Sequence, residues 1–176
     1  NLGLSIEPKT IKEVIGDINL DVDLKKINFP KNLEILIAGC GTGQHAITTA
    51  SKYKNSKILA IDLSYNSLAY AKRKAEELNF TNINFIQGDL LDLKKLNKKF
   101  DIVESVGVLH HMNDPLIGWK SLTECMKDNG LMLIGLYSEK ARENISEIRK
   151  KIRSLKIKTT RNDIINFRKK ILETKN

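Results

Sequence analysis

Residues 33 to 47 read Leu-Glu-Ile-Leu-Ile-Ala-Gly-Cys-Gly-Thr-Gly-Gln-His-Ala-Ile, an apolar run that breaks into three glycines and resumes with helical spacing. The pattern predicts a strand, a sharp turn and a helix in direct succession. Glycine at 39, 41 and 43 lets the backbone bend and lets a bulky ligand approach the peptide groups at the top of the strand, which any side chain would block. A dinucleotide fingerprint places its third glycine one position later, at residue 44 here, so that a pyrophosphate rests on the helix N-terminus. Residue 44 is Gln, which counts against NAD or FAD. A Walker loop is excluded because no Gly-Lys-Ser or Gly-Lys-Thr follows.

Outward from this stretch, strand-like and helix-like segments alternate. Upstream, Pro8 to Asn19 carries Ile11, Val14, Ile15 and Ile18 on one helical face, and 21–32 is a polar connector. The first strand is expected at about 33–38 and its helix at about 43–53. Lys57 to Ile61 is short, apolar and partly β-branched and ends at Asp62, with Ser64 as the N-cap of a helix to about Leu78. A third strand, Ile83 to Gln87, runs into Gly88-Asp89-Leu90, and a fourth spans Phe100 to Val106. Asn113 or Asp114 with Pro115 then opens a helix to about Met126, stopped by Asp128-Asn129-Gly130, and the fifth strand is Leu131 to Tyr137. Five nearly continuous apolar strands separated by helices describe a parallel sheet covered on both faces.

Two carboxylates stand at strand ends. Asp62 follows Gly43 by 19 residues, the spacing at which an acidic side chain on the next strand tip reaches the two ribose hydroxyls of a ligand held by the turn. Asp89 ends the third strand, where a carboxylate accepts the exocyclic amine of an adenine while a neighbouring amide donates to the ring; a turn cap is the structural alternative.

The 176 residues suit one domain core. No apolar run approaches the roughly 18 to 20 residues a membrane span needs, and no signal peptide opens the chain, so a cytoplasmic protein without membrane contact is expected. The first residue is Asn, which points to processing or to a piece of a longer chain. Cys40 and Cys125 make neither a disulfide framework nor a zinc ribbon. No metal site is expected, since His45, His110, His111 and Cys40 match no usual ligand spacing. The net charge is +9, and residues 139–176 hold most of it, with 13 Lys and Arg against 5 Asp and Glu. Such a segment suits contact with nucleic acid, but no aromatic interleaving supports base stacking, so this partner is not favoured.

Residues 33–137 resemble class I S-adenosylmethionine-dependent methyltransferases. Ala-Gly-Cys-Gly-Thr-Gly at 38–43 is similar to their first motif, Ile-Asp-Leu-Ser at 61–64 to their second, and Gln-Gly-Asp-Leu at 87–90 to their adenine motif. Residues 100–111, Phe-Asp-Ile-Val-Glu-Ser-Val-Gly-Val-Leu-His-His, are similar to their fourth-strand motif. The likeness from Gly39 through Tyr137 is greatest to bacterial modules that occur beside tetratricopeptide repeats, and no such repeat is visible in this chain.

The resemblance implies a Rossmann-like, doubly wound α/β domain with strand order 3-2-1-4-5. It implies that Gly39, Gly41, Gly43 and the neighbouring Ala38 and Cys40 line the methionine end of S-adenosylmethionine. Asp62 with Leu63 then holds the ribose, Asp89 with Leu90 frames the adenine, and the backbone around Ser105 meets the methionine amino group. One position departs: the family usually has an acidic residue two places before the first glycine, near that amino group, and this chain has Ile37. Asn or Asp followed by Pro-Pro and an aromatic, the signature of relatives acting on adenine or glutamine, is replaced by Glu104-Ser105-Val106-Gly107, leaving a small molecule or another protein side chain in front as methyl acceptor. Glu104, His110 and His111 fall beside the expected acceptor space, the histidines as candidate bases or as packing and capping residues; no catalytic residue is fixed.

Residues 139–176 read as two basic amphipathic helices, with Ala141, Ile145, Ile148, Ile152 and Leu155 and then Ile164, Phe167 and Ile171 at threes and fours. They stand where the family's final antiparallel strands are expected. The division is therefore a cofactor-binding domain over 1–138 and a helical extension over 139–176, a possible lid or part of a truncated C-terminal region. Two rival functions follow: a module that binds the cofactor without catalysis, and an RNA methyltransferase gripping phosphates with the extension. Oligomeric state is left open.

Overall fold

The computed structural model describes residues 3–5, 7–18, 23, 28–138 and 140–173. These fall into two compact units, 1–136 and 137–176. The first holds five parallel strands, β1 (Leu33–Ala38), β2 (Ser56–Asp62), β3 (Ile83–Gln87), β4 (Phe100–Val106) and β5 (Met126–Gly135), in the order β3-β2-β1-β4-β5. Between them run α2 (Gln44–Lys52), α3 (Tyr65–Glu77) and α4 (Pro115–Glu124), and α1 (Ile11–Ile18) precedes the sheet. The alternation predicted the parallel sheet, and the strand order is that of the doubly wound α/β domain implied by the resemblance.

Strand β1 is central, and every residue of it but the half-buried Glu34 is apolar and buried. Leu33, Ile35 and Ile37 face Ile11, Val14 and Ile15 of α1 and Ala46 and Ala50 of α2. Leu36 and Ala38 point the other way, among Phe100, Leu109 and Leu122. Period-two alternation with both sets apolar gives a strand buried on both faces, and each such Leu or Ile contributes about 1.5–3 kcal/mol relative to exposure. On α1 the predicted apolar stripe is shorter than read: Ile11, Val14 and Ile15 are buried, but Ile18 is exposed at the helix end. Half of the expected connector 21–32, residues 21, 22 and 24–27, lies outside the described residues.

The passage from α4 to β5 differs from the expectation. The helix ends at Glu124, and β5 begins at Met126, paired with Phe100. Asp128-Asn129-Gly130 is therefore not a helix stop. The register jumps from Phe100↔Met126 to Ile102↔Leu131, with Asn129 in the left-handed region at φ 62°, so the turn-forming residues make an irregularity within the strand. Lys127 Nζ lies 3.0 Å from both oxygens of Asp101 and fastens the bulge to β4. The strand also ends at Gly135 rather than Tyr137. Among the described residues no strand pairs with the outer edge of β5.

The second unit contains α5 (Glu143–Ser154) and α6 (Arg161–Glu173). Both carry the expected apolar stripes, with Ile152, Ile164, Phe167 and Ile171 lining one groove between them.

Candidate functional site

In an open parallel sheet the ligand crevice lies outside the carboxyl ends of the strands, where the strand order reverses. Here that point falls between β1 and β4, and a cavity of about 700 Å³ opens there, within the ~300–1,000 Å³ usual for small-molecule sites. Gly39 and Gly41 line it from β1, Asp62 and Leu63 from β2, Asp89 and Leu90 from β3. The tips of three separate strands thus meet around one space.

The turn after β1 is fixed by its own hydrogen bonds. Gly39 N–H and Cys40 N–H both donate to Ile61 O, at 2.8 and 2.9 Å, and Gly43 N–H donates to Cys40 O at 2.9 Å. Gly41 N–H donates to Asp62 Oδ2 at 2.7 Å, while Asp62 Oδ1 accepts from Ser64 N–H at 2.9 Å. Each carboxylate oxygen retains acceptor capacity beyond its backbone bond, so Asp62 is anchored on one side and open to ligand hydroxyls on the other. Next to it, Gly88 N–H donates to Asp62 O at 3.1 Å and Gln87 Nε2 to Leu63 O at 3.0 Å, tying the β2 and β3 tips together.

Asp89 combines both roles read for it. Its Oδ1 accepts from Leu91 N–H at 2.9 Å and caps the 3₁₀ segment Leu90–Leu96, while the residue itself lines the cavity. Ser121 of α4 donates to Leu90 O at 2.7 Å and holds this wall against the helix. Asp114 caps α4 as expected, accepting from Leu116 N–H at 2.9 Å with Pro115 as the first helical residue.

Four of the residues named from the sequence do not line the cavity. Ala38 and Cys40 are buried behind the turn, Ser105 is buried with its Oγ donating to Ala38 O at 3.1 Å, and Gly43 faces α3. The reason at Gly43 is packing: a Cβ there would stand 2.5 Å from the Ala71 Cβ, and φ is +85°. Burial, and then the Asp62 carboxylate, push the Cys40 thiol up to about 12, so it is protonated at neutral pH. Glu104 does not border the acceptor space either. Its side chain is buried on the α2 side of the sheet, accepting from Thr49 Oγ1 at 2.8 Å.

The fourth wall was singled out in sequence only at its histidines. It is the segment after β4, where Gly107, Val108, His111 and Met112 line the cavity and Ile117 adds an apolar side chain from α4. The available signal was Gly107, which takes φ +77° and ends the strand with a turn that side chains rarely adopt. The His110 and His111 rings touch in a tilted arrangement, with centroids 4.2 Å apart and planes at 55°, but only His111 reaches the lining.

The lining holds three carboxylates, Asp62, Asp89 and Asp114, and neither Lys nor Arg. With the turn's N–H groups at 39, 40, 41 and 43 already donating inside the protein, the site has little to offer a phosphate. It suits a nucleoside that carries positive charge. Such a site on this sheet defines an α/β domain of the nucleoside-cofactor-binding class.

The sequence profile of the methyltransferase domain family matches residues 30–174. The chain belongs to that family. It is 35% identical over 119 residues to an uncharacterised protein of Synechococcus sp., covering 67% of this chain and 28% of that one. It is 27% identical over 115 residues to (S)-coclaurine N-methyltransferase of Papaver somniferum, covering 65% and 32%. The structure of PKMT2 from Rickettsia typhi in complex with AdoHcy superposes with a TM-score of 0.65 at 21% identity, over 85% of this chain and 30% of that one. The chain thus spans about a third of the length of these relatives.

Proposed function

We propose that this protein binds S-adenosylmethionine across the strand tips and transfers its methyl group to a small molecule or a protein side chain. The observation that carries this reading is the convergence of Gly41, Asp62 and Asp89 on one cavity without a Lys or Arg. Asp62 takes the ribose hydroxyls, Asp89 and the backbone at Leu90 take the adenine edge, and Gly39 and Gly41 flank the sulfur end. The cofactor supplies an activated methyl on a sulfonium, so the protein's main task is alignment; well-oriented reactions gain on the order of 7 to 11 kcal/mol from positioning. If the acceptor is a hydroxyl or an acidic carbon, its proton needs a base, and His111 is the imidazole in the lining.

The name of the Papaver relative supports an acceptor of small-molecule type. The finer likeness, to modules found beside tetratricopeptide repeats, is carried by residues 39–137. Among the described residues no helix is long and apolar enough to cross a membrane, which supports a cytoplasmic setting. The helical extension over 139–176 forms a separate functional element, a lid for the acceptor or a grip on RNA.

Calorimetry tests the cofactor: S-adenosylmethionine and S-adenosylhomocysteine are expected to bind and NAD is not. Incorporation of labelled methyl into small-molecule and protein fractions of a lysate then separates a catalyst from a binder. Incorporation into RNA alone, with affinity falling steeply as salt rises, would move the acceptor to nucleic acid.

A further inference from the structure

The methionine end of the proposed cofactor carries an ammonium group, and no carboxylate lines the cavity from β1 or β4, the strands at which that end is expected. Asp62 and Asp89 stand at the β2 and β3 tips, and Asp114 caps α4. Strand β1 offers none, because residue 37 is Ile. A carboxylate does exist beside that position. Glu104 is the β4 residue paired in register with Ile37, and its side chain lies on the same sheet face, since Ile35 and Ile37 share one packed layer with Ile102.

Glu104 is 4% exposed, and its described partners crowd one of its two oxygens. Thr49 Oγ1, a neutral donor, bonds Oε2 at 2.8 Å, and His45 Nε2 lies 3.0 Å from the same oxygen. Both contacts fall on Oε2; among the described residues no hydrogen bond is made to Oε1. No Lys or Arg pairs with it among the described ion pairs. A buried carboxylate is costly unless it is paired and its oxygens are satisfied, and an ammonium near Oε1 would add a second partner to His45.

Its place fits the missing role. Glu104 sits under the glycine turn: His45 is in the first turn of α2, immediately after Gly43, and Ser105 is bonded to Ala38 O at the β1 tip. The cofactor's order along the tips, with adenine at β3 and ribose at β2, leaves its amino acid end at β1 and β4. Opposite charges act on each other within about 4–6 Å, the reach a carboxylate behind the cavity wall needs to act on an ammonium inside it.

We infer that Glu104 is a cofactor-binding residue that supplies, from β4, the negative charge for the amino group of S-adenosylmethionine that β1 lacks at Ile37. The inference rests on the cofactor reading above and goes beyond it. Glu104 also becomes a selectivity device, because it favours ligands with a free amino group.

The test compares two ligands by calorimetry: S-adenosylhomocysteine, and its analogue in which hydrogen replaces the amino group. The wild-type protein is expected to prefer the first by tenfold or more, and Glu104→Gln to lose most of that preference while binding the analogue as before. Thr49→Val, which removes the bracket but keeps the charge, is expected to retain the preference. If Glu104→Gln weakens both ligands equally, or if Thr49→Val abolishes the preference as completely, Glu104 is only a strut between β4 and α2 and the inference fails alone. A wild-type protein that binds both ligands equally also overturns it, with no folded variant needed. Failure of the wild type to bind either ligand overturns it together with the cofactor reading.

Discussion

The Asp62 carboxylate is held by two backbone N–H groups from opposite sides, Gly41 at 2.7 Å and Ser64 at 2.9 Å. A charged acceptor anchored in this way loses no rotamer freedom when a ligand arrives, so its hydrogen bonds to hydroxyls keep most of their strength; bonds to charged groups contribute about 1.5–3 kcal/mol each. Asp62→Ala is therefore expected to weaken S-adenosylhomocysteine binding by about 1.5 to 3 kcal/mol in calorimetry, and unchanged affinity would remove the ribose assignment. The glycines divide by task. At Gly41 an added Cβ meets only open space, while at Gly43 it meets Ala71. Gly43→Ala is expected to cost about 1–3 kcal/mol of stability from overpacking, seen as a lower urea midpoint. Spacing made the turn legible in sequence, but it could not tell a glycine that faces a ligand from one that faces a helix. That distinction depends on where α3 lies.

At the scale of elements, caps and strand ends were readable because their chemistry is local. Ser64 and Asp114 cap α3 and α4 as their positions suggested, each accepting a backbone N–H within its own first turn. Asp114→Ala should cost about 1 kcal/mol of helix stability and also loosen the cavity wall, since Asp114 and Ile117 both line it. Loss of thermal stability together with weakened ligand binding is the expected pair of results; stability loss alone would make the cap purely structural. The error at β5 shows what local reading misses. Asp128-Asn129-Gly130 has the composition of a helix stop, yet Met126 pairs with Phe100 before these residues are reached. Partnership with a strand some twenty-five positions earlier overrode the turn signal, and no window around 128–130 contains it. Glu104 was misplaced for the same reason: its strand was plain, but which face its side chain took depended on register with β1.

For the whole molecule, alkaline pH separates the folded from the unfolded chain through groups that the core keeps protonated. Burial, and then Asp62, push the Cys40 thiol from 9.0 to about 12. Burial, and then the Glu104 carboxylate, push the Tyr53 phenol well above its usual value of 10.0, and burial raises the Cys125 thiol. In the unfolded chain these groups ionise near their ordinary values. Above about pH 9 the unfolded state therefore binds fewer protons than the folded state, and stability must fall as pH rises. Net charge works in the opposite direction: the chain carries +9 at pH 7 and approaches neutrality near pH 9.5, which relieves self-repulsion. A variant isolates the first effect, because Cys40→Ala removes one titrating group and leaves the charge at pH 7 unchanged. Urea midpoints at pH 8, 9 and 10 are expected to fall less steeply for Cys40→Ala than for the wild type, whatever the absolute effect of the substitution at pH 8. Parallel slopes for the two proteins would mean that the Cys40 thiol ionises in the folded state as readily as in the unfolded one, and that the turn around it is open to water.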